Sequence, residues 1–102
     1  MSRKPLGRGL EVFFSRDSER AMFQKALDHD RKGEVFEAFH LYMKVAEQRG
    51  TLRAKALNNA AVILAEHGFV DQARALLREA LQEDAENREA RENLSILEGD
   101  AG

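Results

Sequence analysis

The sequence predicts an all-α fold of paired helices, and three observations carry this. After about residue 16 and almost to the C-terminus, apolar residues recur at helical spacing, while the sustained alternation that marks strands is absent. The single proline, Pro5, stands ahead of these segments, so no later helix meets a ring that removes a backbone donor. Side-chain types also return at a fixed interval of 35 residues: Met22 as Leu57, Ala26 as Ala61, Gly33 as Gly68, Ala38 as Ala73, Tyr42 as Leu77 and Val45 as Ala80.

The elements follow in order. Residues 1–16 form a basic, glycine-containing segment, expected to be flexible. Asp17 or Ser18 is placed to cap a first helix that runs to about Lys32, where Gly33 breaks it. A second helix runs from about Val35 to Gln48 and ends at Gly50. Thr51 is the candidate cap of a third, which extends through His67 and stops at Gly68. A fourth covers about Asp71 to Gln82 and a weaker fifth about Asn87 to Leu97. This gives a helical domain over 17–98 and a short tail over 99–102.

The interval and the residues on it resemble the tetratricopeptide repeat family, whose period is about 34 residues. The second copy reads Leu57-x2-Ala60-Ala61-x2-Leu64, then Gly68, then Ala73-x3-Leu77 and Ala80. The first reads Met22-x2-Lys25-Ala26-x2-His29, then Gly33 and Ala38-x3-Tyr42; Lys25 and His29 depart from the apolar pattern. The small residues allow paired helices to approach closely while the large ones fill the gaps. The resemblance covers about residues 19–98. It implies two helix hairpins and a C-terminal capping helix in a short right-handed solenoid; the competing reading is a generic helical bundle. It also implies a concave groove lined by Phe23 and Leu27 in the first copy and by Lys55, Asn58, Val62 and Glu66 in the second. Phe23 and Leu27 stand where a clamp for a terminal carboxylate wants polar groups, so the expected guest is an apolar helix or extended segment.

The second helix carries more apolar residues than one buried stripe requires. Phe36, Phe39 and Met43 stand at i, i+3 and i+7 beside the Ala38–Tyr42–Val45 face. A helix apolar over so much of its girth is either deeply buried or part of an interface. These three residues are the interface candidates, to be covered by residues 6–14 or by a second copy in a homodimer.

Within residues 1–16, Leu6, Leu10, Phe13 and Phe14 fall on one helical face, although Gly7 and Gly9 would each cost about 1 kcal/mol relative to alanine in a helix. The run from Arg3 to Ser15 resembles the N-terminal peptide of ParB-type chromosome-partitioning proteins; its core, Leu6-Gly7-Arg8-Gly9-Leu10, matches without a gap. The resemblance covers about a dozen residues, and nothing else in the chain is like that family. It implies contact with a ParA/MinD-type ATPase: Leu6, Leu10, Phe13 and Phe14 would dock in a groove, and Lys4 and Arg8 would approach the nucleotide site. The competing reading is a passive basic tail.

Composition narrows the remaining classes. Of the 102 residues, 33% are charged and 43% hydrophobic, which suits a globular chain. Residues 1–10 hold Arg3, Lys4 and Arg8 and no acid, whereas the rest holds 13 basic and 18 acidic residues. So acidic a body argues against a nucleic-acid partner. With no cysteine there is no disulfide framework or thiolate metal site, which fits a cytoplasmic location. No apolar run nears the ~20 residues of a membrane span, so no stable membrane insertion is expected, and the apolar face at Phe13 and Phe14 is too short for more than weak surface binding.

Gly7-Arg8-Gly9 lacks the spacing and preceding strand of a phosphate loop. His29, His40 and His67 do not stand at metal-binding spacing, and no hydroxyl sits in a nucleophile motif. The acidic stretch over 79–100 reads as a solvated cap. No catalytic residue, metal or cofactor is therefore assigned. The expected function is a non-enzymatic adaptor that binds protein, with or without an ATPase-stimulating N-terminal peptide.

Overall fold

The computed structural model describes the backbone of residues 4–99 and the side chains of residues 18–99. Among the described residues there are five helices and no strand: α1 (Lys4–Arg31), α2 (Val35–Glu47), α3 (Arg53–Glu66), α4 (Val70–Glu83) and α5 (Arg88–Gly99). The last four begin and end within two residues of the expected positions. α1 starts earlier than Asp17: Pro5 falls in its first turn, where a missing N–H leaves no hydrogen bond unmade. The side chains of Lys4, Leu6, Arg8, Leu10, Phe13 and Phe14 lie outside the described residues.

Each helix packs on its neighbour in sequence, and α3 also touches α5. The core lies where the small residues meet. Ala26, Ala38, Ala73, Ala80 and Ala90 are fully buried, as are Tyr42 and Val45, while Leu57, Ala61 and Leu77 are within 1% of that state. Met22 is half-buried against the same core. With alanine at the points of closest approach, the helix axes come together, and Tyr42, Leu57 and Leu77 fill the space between the contacts.

The 35-residue interval reappears in the backbone bonding. At the end of α1, Gly33 N–H donates to the carbonyl of Asp30 at 3.0 Å and Glu34 N–H to that of His29 at 2.9 Å. At the end of α3, Gly68 N–H donates to Ala65 at 3.1 Å and Phe69 N–H to Leu64 at 2.8 Å. Gly33 and Gly68 have φ of +80° and +89°. Both ends are Schellman motifs, which satisfy the last carbonyls of a helix by turning one residue left-handed.

The connection from α2 to α3 is built differently. Its left-handed residue is Arg49, with φ of 54°, not Gly50. Glycine at 50 answers a different need, since a Cβ there would overlap the carboxylate of Glu19. That carboxylate is 7% exposed and accepts from Leu52 N–H at 3.4 Å. It places negative charge at the start of α3, where free N–H groups favour it. Leu52, not the expected Thr51, occupies the cap position.

Replacing Gly33 or Gly68 with alanine keeps the space free but forces a Cβ into left-handed backbone. Each change is expected to destabilise the fold by about 1 kcal/mol, read from urea unfolding followed by circular dichroism. Unchanged midpoints would contradict the Schellman turns.

Candidate protein-binding surface

The candidate surface is set by how α2 is held. Its inward face, Ala38, Tyr42, Val45 and Ala46, is buried. The Tyr42 ring packs tilted on Phe23, with centroids 5.8 Å apart, and its hydroxyl donates to Asp30 Oδ2 of α1 at 2.8 Å. At the other end of α2, the Arg53 guanidinium of α3 donates to the Ala46 carbonyl at 2.7 Å. It also pairs with Glu79 at 3.2 Å and Glu83 at 3.1 Å on α4. These contacts fix the roll of α2 about its axis and tie four helices together.

With that face turned inward, the second apolar strip faces outward. Phe39 and Met43 are half-buried, while Phe36 is 84% exposed. A half-open cavity of about 480 Å³ lies beside them, lined by Val35, Phe36, Phe39, Ile63, Leu64 and Phe69 together with His67. A second cavity of about 350 Å³ adjoins it towards Met43 and Leu76 and shares Phe39, Leu64 and Phe69. The two form one apolar surface across α2, the end of α3 and α4. The structure thus brings together the three interface candidates and adds Leu64, Phe69 and Leu76, which the sequence reading did not assign to this surface.

Leu64 and Phe69 had a local signal. In a Schellman motif the residue after the left-handed one often contacts the residue five positions earlier. In the first hairpin that contact is polar: His29 Nδ1 and Glu34 Oε1 are 2.6 Å apart. In the second hairpin the same two positions hold Leu64 and Phe69, and Phe69 is 52% exposed. The turn forms with either pair, so folding does not require the apolar one there.

The expected groove residues are divided. Phe23 and Leu27 are half-buried against the core, Phe23 on Tyr42. Lys55 is exposed. Asn58 is 2% exposed; its Oδ1 accepts from Asn93 of α5 at 2.9 Å, and its amide donates to Asn59 at 3.3 Å and Glu89 at 3.5 Å. Its polar groups are thus engaged within the chain. Val62 and Glu66 line a small cavity of about 160 Å³ whose other wall is Asn93, Ile96 and Leu97 of α5. α5 therefore closes over Asn58 and borders Val62 and Glu66, of which Glu66 stays exposed.

Among the described residues, no group of three His, Asp or Glu side chains is placed to hold a metal ion. No helix among them is long and apolar enough to cross a membrane.

One titration reports on the hold of α2. Burial first, and then the Asp30 carboxylate, push the Tyr42 phenol well above its ordinary value. A raised phenol contributes stability that is complete below the unfolded value of about 10 and is lost as pH climbs towards the folded one. The fold is thus expected to weaken above about pH 10. Tyr42→Phe should reduce that dependence and cost about 1 kcal/mol at neutral pH for the lost hydrogen bond. Tyr42 is the only tyrosine and there is no tryptophan, so tyrosinate absorbance reads this group alone. Ionisation at the ordinary phenol value with the helices intact would contradict its burial.

Comparison with protein-family models and with curated proteins finds no match for the chain.

Proposed function

We propose that the chain is a non-enzymatic adaptor of tetratricopeptide type that binds another protein chain through the apolar surface of α2, α3 and α4. The observation that carries this reading is one cavity ringed by the exposed Phe36 and Phe69 and the half-buried Phe39 and Leu64. Contiguous apolar area of this kind, rich in phenylalanine, is favoured at protein interfaces and is a liability elsewhere. The polar pair His29–Glu34, at the position that holds Leu64 and Phe69 in the second hairpin, supports a role beyond folding. The tetratricopeptide reading is supported by the buried alanines and by the two turns that repeat their bonding at the family-like interval. In that reading, α1–α2 and α3–α4 are the two repeats of a short right-handed solenoid and α5 is its cap. The groove of such a solenoid is the weaker candidate here, because Asn58 is already satisfied by α5.

The test is co-precipitation from cells that produce the chain, comparing the wild type, Phe36→Ser/Phe69→Ser and a deletion of residues 2–14. The double variant is expected to lose the captured chain while circular dichroism stays unchanged, since both side chains are exposed. The deletion is expected to keep it. An identical set of captured chains with the double variant would end the surface reading.

A second reading concerns the N-terminal segment and rests on Leu6-Gly7-Arg8-Gly9-Leu10. In it, residues 1–14 engage a ParA/MinD-type ATPase, and the Arg8 guanidinium stabilises charge that develops during phosphoryl transfer. The helical body then links that ATPase to the chain held on the α2–α4 surface. A synthetic 1–14 peptide is expected to raise the hydrolysis rate of a cognate ATPase, and Arg8→Ala to remove the effect. An unchanged rate with the wild-type peptide would remove this reading and leave the first intact.

A further inference from the structure

We draw no further inference here: the strongest candidate, the apolar surface of Phe36, Phe39 and Phe69 across α2, the end of α3 and α4, carries nothing beyond the reading already proposed, because nothing in the structure shows what covers it.

Discussion

The architecture depends on how closely α1 meets α2 and α3 meets α4. Each of these helices brings a buried alanine to the core, Ala26 and Ala38 in the first pair and Ala61 and Ala73 in the second, and none is more than 1% exposed. Side chains no larger than a methyl group at these buried positions let helix backbones approach closely, where dispersion contacts are dense. Tyr42 and Leu77 stand one turn further along and occupy the widening gap. A larger side chain at any of the four alanines would push the axes apart. It would open voids around Tyr42 or Leu77, and overpacking of that kind typically costs 1–3 kcal/mol. Every other contact, including the Arg53 pairing with α2 and α4, presupposes the spacing that the alanines set.

The close approach also explains why the outer faces differ in character. Tight packing needs only one stripe of each helix, and α2 satisfies it with Ala38, Tyr42, Val45 and Ala46. Of the apolar residues left over, Phe39 and Met43 pack half-buried on the edge of the core, and Phe36 adds almost nothing at 84% exposure. In α4 the outer positions near them, Gln72 and Ala75, are small or polar, and the apolar area comes instead from Phe69 and Leu76. The surface is thus assembled from three helices.

This division decides what was legible in the sequence. The four alanines, the two glycines and the interval between them announced the hairpins, because small residues and left-handed turns leave few alternatives. Helix ends followed for the same reason. The start of α1 was not legible: Gly7 and Gly9 argue against a helix locally, and residue preferences do not show that the chain is helical from Lys4. Gly50 was read as a helix stop; the approach of the Glu19 carboxylate to it, from 31 positions earlier in the chain, was not legible. At the candidate surface, Phe36, Phe39 and Met43 were visible as an excess over one stripe on one helix. Leu76 was not, since a face shared by several helices has no periodicity along the chain, and Phe69 was signalled only by its place after the Gly68 turn. The engagement of Asn58 by Asn93 was hidden for a similar reason, because it depends on how α5 lies across α3.

The exposure of Phe36 and Phe69 separates folding from binding in a way most apolar residues do not allow. A buried phenylalanine replaced by a polar residue leaves a cavity and an unpaired group, so loss of binding and loss of structure are confounded. Phe36 has most of its surface in water, and its removal exchanges apolar for polar area where the solvent already sits. The folded state should be indifferent to that exchange or gain from it, as surface substitutions away from special features usually change stability by less than about 0.5 kcal/mol. A chain that needed only to fold would have little reason to keep the ring. Its place beside Phe39, Leu64 and Phe69 gives it one: each ring enlarges an apolar area that becomes favourable only when another molecule removes it from water.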